Sequence, residues 1–129
     1  MDTNTAKFPI YLRNKDDTDL RKFASENEVR RYVEDIDVEN REYEGWDNNG
    51  YPVTLELDQT RALIVKTHTG PSARDQALQA FADFATAEGS EFTRPDTEAD
   101  LQTIFDKLMS AITNARRSKP RWQRIFSRT

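Results

Sequence analysis

The sequence predicts an α+β domain from three observations. The N-terminal half holds short segments in which apolar and polar residues alternate, as in half-buried strands. Two of these segments flank Asn48-Asn49-Gly50, and Asn-Gly is a strong hairpin signal. The C-terminal half carries two long amphipathic segments of helical period. We therefore expect the order strand, helix, three strands, two helices, with a mostly antiparallel sheet of about four strands and the helices packed on one face.

The chain of 129 residues suits a single core and is too short for two ordinary domains. We assign residues 1–115 to one α+β domain. Residues 116–129 differ in composition, being basic and aromatic, and are predicted to form a C-terminal tail.

The first strand is predicted over residues 7–13, where apolar side chains alternate with polar ones. Pro9 lacks an amide donor, so this strand is expected either to lie at a sheet edge or to begin near Pro9. Residues 20–23 could return as a short strand. Ser25 and Glu28 have the spacing of a capping box, which predicts a helix over residues 26–35.

Residues 41–47 and 51–58 are predicted to form the hairpin around the Asn-Gly turn, because both central turn residues tolerate positive φ. A tight reversal at residues 58–60 leads into a strand over residues 61–68. That strand is apolar on both faces and is expected to be central in the sheet. The three strands would form an antiparallel meander.

The remaining residues are predicted to form two helices. The first is opened by Pro71 and Ser72 and closed by Gly89. The second is capped by Asp96 or Thr97, carries the strongest amphipathic stripe of the chain, and runs to about residue 117 before Pro120.

The charge of the chain is unevenly distributed. Residues 1–115 hold 13 basic and 23 acidic residues, a net charge of −10, whereas residues 116–129 hold six basic residues and no acidic one. An acidic body repels nucleic acid and anionic lipid, so binding of either would be confined to the tail. No apolar stretch approaches the length of a membrane helix and no signal peptide is recognisable, so a cytoplasmic protein is expected.

Few patterns indicate chemistry. The chain has no cysteine, and its four glycines are isolated, which argues against thiolate sites and the usual phosphate-binding loop. His68 alone cannot form a zinc site. The acidic residues 34–40 resemble a calcium loop but place Asn40 and Trp46 where Gly and Glu are needed. We predict no metal, no cofactor and no catalytic residue, although an enzyme with a site built on carboxylates or centred on His68 stays an alternative.

A weak candidate for anion binding lies where a strand is predicted to end and a helix to begin. Free amides there could hold an anion, with Arg74 adding positive charge. The candidate residues are His68, Thr69, Gly70, Ser72 and Arg74. The alternative is that Thr69 or Ser72 caps the helix and His68 is simply exposed.

Two sets of aromatic and basic residues are candidates for partner binding. Trp46 and Tyr51 bracket the hairpin turn and could form an exposed aromatic patch, or could instead pack across the strands. In the tail, one helical turn would bring Trp122, Ile125 and Phe126 together among basic side chains. The tail candidates are Arg116, Arg117, Lys119, Arg121, Trp122, Arg124, Ile125, Phe126 and Arg128. Docking of the tail on its own body is the alternative.

These observations favour a small, soluble, non-catalytic protein-binding module that acts through an acidic body and aromatic or basic anchors and could cover a basic partner. A protein partner or a second copy of the chain is the expected ligand. The alternative is an adaptor that binds nucleic acid or anionic lipid through residues 116–128.

Overall fold

The computed structural model describes residues 4–33, 35–68, 70–94 and 99–118. Six strands and four helices follow one another along these residues. They are β1 (Asn4–Thr5), β2 (Ile10–Asn14), β3 (Arg21–Phe23), α1 (Glu26–Tyr32), α2 (Asp35–Glu39), β4 (Tyr43–Trp46), β5 (Pro52–Leu57), β6 (Leu63–Thr67), α3 (Arg74–Ala87) and α4 (Leu101–Ser118). None of these helices combines the length and the apolar character that a membrane-crossing helix needs.

The strands form one antiparallel sheet in the order β1-β6-β5-β4-β2-β3, which confirms the α+β class and the meander β4-β5-β6. Six segments pair where about four were expected. β3 is the short strand suggested at residues 20–23, and β1 has only two residues, too few to show an alternating pattern. The first predicted strand begins at Ile10, directly after Pro9, and lies between β4 and β3. Of the two roles proposed for Pro9, starting the strand is therefore the correct one.

Helices pack on both faces of the sheet, which corrects the expectation of one covered face. Consecutive residues of a strand point to opposite faces, and on β2 Ile10 joins one apolar cluster while Tyr11 joins the other. The first cluster contains Val29 of α1 and Val38 of α2. The second is built on α3 and α4. The sequence did not indicate this second covered face, because α1 and α2 are short and bury few side chains.

Phe81 of α3 and Phe105 of α4 form the aromatic centre of the second cluster together with Tyr11. The ring centroids of the three residues lie 5.2 to 5.3 Å apart, in tilted or edge-to-face arrangements that favour aromatic pairs. These contacts fix α3 and α4 on the face of β2 and β4.

The sheet is curled, since α1 contacts both β3 at one edge and β6 near the other. Two side chains of α1 bond backbone groups of β6 that β1 does not reach. The carboxylate of Glu26 accepts a hydrogen bond from the amide of Val65 at 3.1 Å, and Arg30 donates one to the carbonyl oxygen of Leu63 at 3.1 Å. This stretch of β6 edge is therefore covered by a helix.

The start of α1 matches its sequence signal. Ser25 accepts a hydrogen bond from the amide of Glu28 at 3.3 Å, and the Glu28 carboxylate accepts one from the amide of Ala24 at 2.9 Å. The helix ends earlier than predicted, because Val33 is extended and a separate helix, α2, follows.

The hairpin between β4 and β5 is confirmed, but its turn is organised differently from the prediction. Gly50 has a φ of 86°, whereas Asn49 is not in the positive-φ region. The buried carboxylate of Asp47 accepts hydrogen bonds from the amides of Asn49 and Tyr51, at 2.9 and 3.0 Å. It also accepts one from the hydroxyl of Thr67, at 3.2 Å. Asp47 therefore determines the turn geometry.

The N-cap of α4 is a residue that the sequence analysis does not name. The carboxylate of Asp100 accepts a hydrogen bond from the amide of Thr103 at 2.8 Å, so Asp100 starts α4. The predicted caps Asp96 and Thr97 lie outside the described residues.

Candidate binding site

A cleft opens where β4 and β5 diverge. The two strands pair at Trp46–Pro52 and at Gly45–Val53, and no further pair follows. Beyond this point β4 continues to pair with β2, and β5 continues to pair with β6 as far as Leu57. The sheet is therefore split between Tyr43 on one side and the second half of β5 on the other.

The split leaves one edge of β5 without a neighbouring strand. In an antiparallel pair, alternate residues of a strand direct their amide and carbonyl groups towards the same neighbour. Pro52 accepts a bond from the amide of His68, and the amide of Asp58 bonds Ala62, so the even-numbered residues of β5 face β6. Leu55 and Leu57 consequently direct their backbone groups into the cleft. We call these amide and carbonyl groups the β5 edge.

The cleft has a volume of about 740 Å³ and two distinct walls. Thr54, Leu55 and Leu57 form one wall, while Lys15, Arg41 and Tyr43 form the other. Residues 38 and 39 of α2 also line it. Leu55 and Leu57 are half-buried against the apolar cluster beneath α1 and α2, so apolar surface and free backbone groups lie together.

The acidic side chains of the cleft are engaged in contacts of their own. Glu39 pairs with Arg61 at 3.2 Å, and Glu56 pairs with Lys66 at 3.0 Å. The carboxylate of Asp58 accepts hydrogen bonds from the hydroxyl of Thr60 and nearby amides. The hydrogen bond from Arg61 lowers the pKa of Glu39, and that from Thr60 lowers the pKa of Asp58.

Tyr43 is held in one orientation in the cleft wall. Its hydroxyl donates a hydrogen bond to the carboxylate of Asp37 at 3.3 Å. Burial, followed by the negative charge of Asp37, raises the pKa of Tyr43 to about 12. The phenol is therefore protonated and uncharged at neutral pH.

Three polar groups of the cleft have no bonded partner among the residues that the structure describes. The hydroxyl of Thr54 is buried and makes no hydrogen bond there. Lys15 and Arg41 are exposed, and within the described parts of the chain no ion pair involves either side chain. Lys15 and Arg41 are therefore available to a ligand, whereas the Thr54 hydroxyl is enclosed by the protein.

The residues predicted to bind an anion do not converge. His68 is exposed and lines the cleft, while Thr69 lies outside the described residues. Ser72 accepts a hydrogen bond from the amide of Arg74 at 3.1 Å, and the guanidinium of Arg74 donates one to the carbonyl oxygen of Ala99 at 2.7 Å. Gly70 is exposed. Arg74 thus connects α3 to the segment before α4 instead of facing His68.

Of the two alternatives given for Trp46, packing within the fold is the correct one, and Trp46 is not part of an exposed aromatic patch. Its side chain is 4% exposed and packs in the cluster formed by α3 and α4, with the Arg13 guanidinium 5.8 Å above its ring. A strand residue opposite two helices is buried whatever its interfacial propensity. Tyr51 is half-buried in the hairpin turn.

The predicted tail begins on a helix. α4 extends to Ser118, so residues 116–118 continue it, and the Arg116 guanidinium pairs with Glu88 just after α3. Arg117 also lies on α4. The other tail candidates, at positions 119, 121, 122, 124, 125, 126 and 128, are outside the described residues.

Sequence reasoning missed the cleft and the residues that form it. Residues 41–47 and 51–58 read as two fully paired strands, and no pattern in them marks the loss of pairing after Val53. The pattern of residues 34–40 argues against a calcium loop, but it does not indicate that Val38 and Glu39 line the cleft.

No group of three metal-ligating side chains occurs in the described parts of the chain. Comparisons with protein-family models, with curated proteins and with solved structures give no match.

Proposed function

We propose that the protein is a small, non-catalytic, cytoplasmic protein-binding module that takes up an extended segment of a partner protein along the β5 edge. The observation behind this proposal is the end of the β4–β5 ladder at Gly45–Val53. It leaves the backbone amide and carbonyl groups that Leu55 and Leu57 direct away from β6 without a partner strand, beside apolar surface. An added strand satisfies such groups directly, and this is a known mode of peptide recognition.

The contrast with β6 supports a binding role for the β5 edge. Unpaired strand edges favour unwanted association, and proteins usually cover them. Glu26 and Arg30 cover the outer edge of β6 next to β1. No described residue hydrogen-bonds the backbone groups that Leu55 and Leu57 direct into the cleft, although α2 packs against β5.

A peptide suits this site better than a compact small molecule. Two amides and two carbonyls at alternate positions match the spacing of a partner strand, whose side chains would point alternately to the two faces. The half-buried Leu55 and Leu57 offer apolar contact on one face.

Selection from a displayed library of random seven-residue peptides tests the proposal. We expect peptides that bind the intact chain and that lose at least about fivefold in affinity with Leu57→Pro, since proline removes one donor of the β5 edge. Proline is tolerated where the missing amide faces away from the neighbouring strand, so the β6 ladder should persist. Leu57→Ala is the matched control, because it shortens the side chain and keeps the amide.

Equal binding by the proline and alanine variants would contradict the proposal, as would selected peptides that contact another surface. Circular dichroism of both variants must show a native spectrum. If Leu57→Pro unfolds, Leu55→Pro takes its place with Leu55→Ala as control.

The alternative from the sequence, an adaptor that binds nucleic acid or anionic lipid through its basic tail, stays a prediction. Deletion should start after Ser118, because Arg116 pairs with Glu88 on the body. Loss of binding to anionic vesicles or single-stranded nucleic acid on removal of residues 119–129, with the fold intact, would support that alternative.

A further inference from the structure

We infer that Lys15 and Arg41 make the cleft selective for an acidic segment of the partner. This inference rests on the proposed function and names the chemistry of the ligand at the same site. The net charge of the chain led to a different expectation, in which the acidic body covers a basic partner.

Lys15 and Arg41 lie close together at one end of the cleft. Asn14 pairs with Tyr43 at the end of the β2–β4 ladder, and the amide of Lys15 then bonds the carbonyl oxygen of Glu42 at 2.9 Å. Arg41 directly precedes Glu42 in the sequence and has a φ of 55°, so the backbone turns at this point. Both side chains line the wall opposite the β5 edge.

The charge balance of the cleft favours an acidic ligand. Each of the three acidic side chains in its lining, Glu39, Glu56 and Asp58, already has a bonded partner. A basic ligand would have to compete with Arg61 for Glu39 and with Lys66 for Glu56. At Asp58 it would have to compete with the hydrogen bonds from Thr60 and the nearby amides. An acidic ligand would meet Lys15 and Arg41, for which the described residues supply no ion pair.

The net charge of −10 on residues 1–115 does not override this local balance. At physiological ionic strength charges are screened over about 8 Å, so distant acidic residues act weakly on a ligand already in the cleft. The distant acidic residues lower the association rate of an acidic ligand more than they weaken its contacts in the cleft. We therefore expect the two basic residues to determine the preference between bound segments.

Two synthetic peptides of alternating polar and valine residues, one with glutamates and one with lysines at the polar positions, serve as probes. Titration against the full chain should show the glutamate peptide binding roughly 3- to 10-fold more tightly, as two exposed ion pairs allow. The charge-reversed variant Lys15→Glu/Arg41→Glu should invert the preference. A matched control, Lys107→Glu on α4, should leave it unchanged.

The outcomes separate this inference from the proposed function. If both peptides protect the amides of Leu55 and Leu57 and bind equally, or the lysine peptide binds more tightly, the acidic preference is wrong and strand addition stands. If neither peptide protects those amides, both proposals fail. If sedimentation shows that the chain self-associates through the β5 edge and excludes both peptides, the occupant is a second copy and the acidic partner is wrong.

Discussion

The guanidinium of Arg30 lies 3.1 Å from the carbonyl oxygen of Leu63, and through this contact a helix covers the β6 edge that β1 leaves exposed. Arg30 also pairs with Glu26, whose carboxylate accepts a hydrogen bond from Val65. Glu26 and Arg30, one helical turn apart, thus supply the hydrogen bonds that a neighbouring strand would otherwise make with this part of β6. The β5 edge has no such cover among the described residues, and this difference underlies the function proposed above.

Replacing both helix residues should expose the β6 edge. We expect Glu26→Ala/Arg30→Ala to lower the free energy of unfolding by about 1–3 kcal/mol, because a backbone amide and a carbonyl lose their partners. It should also increase self-association. Urea denaturation and sedimentation velocity measure the two effects. Arg31→Ala, on the exposed side of the same helix, should change neither, and equal behaviour of the two variants would contradict the assignment.

Asp47 is the residue on which the hairpin turn depends. Asp47→Ala leaves two amides and a hydroxyl without the acceptor they share, so we expect a loss of about 2–4 kcal/mol in urea denaturation. Asp47→Asn keeps one acceptor oxygen and should cost less. The exposed Asp16→Ala serves as the control. If Asp47→Ala lowers the free energy of unfolding no more than Asp16→Ala does, the turn forms without this carboxylate.

Gly45 holds the last pair before the cleft and has no room for a side chain. An added Cβ would lie 2.3 Å from Leu12 Cδ2 and 2.5 Å from the carbonyl oxygen of Tyr11. We expect Gly45→Ala to destabilise the fold by about 1–3 kcal/mol, as overpacking of a core does. Thermal denaturation measures this. An unchanged midpoint would mean that β2 and β4 approach less closely than described.

Stability should fall at high pH as the buried tyrosines ionise. The pKa of Tyr43 is about 12 in the folded chain against 10.0 for the free side chain, and burial also raises the pKa of Tyr11. A raised pKa favours the protonated form in the folded state. The stabilisation is therefore complete below pH 10 and is lost between pH 10 and about 12.

Urea midpoints from pH 8 to 11.5 check this dependence. Tyr43→Phe should reduce the slope in that range, while Tyr51→Phe, in the half-buried turn, is the comparison. The same slope in wild type and Tyr43→Phe would contradict the assignment to Tyr43.

Local signals in the sequence predicted local structure well. Ser25 and Glu28 mark a helix start because the capping bonds involve residues three or four apart. Asn49-Gly50 marks a hairpin for the same reason. The faces covered by α1 and α2 depend on residues such as Val29 and Val38, which meet β6 and β5 across long sequence separations.

The cleft could not be predicted from the sequence for a related reason. Tyr43 and Leu55 continue the alternating pattern of their strands past Gly45–Val53, so nothing in the residues themselves records that pairing has stopped. For Trp46 the sequence suggested a binding residue where the structure has a core residue. Its residue type suggested an interface, while its register opposite Tyr11 places it in the core.

Amide hydrogen exchange along β5 tests the central claim most directly. In the free protein, the amides of Leu55 and Leu57 should exchange much faster than those of Thr54 and Glu56, which face β6, and a bound peptide should slow the first pair selectively. Slow exchange at all four positions in the free protein would show that the β5 edge is already paired and would contradict the account.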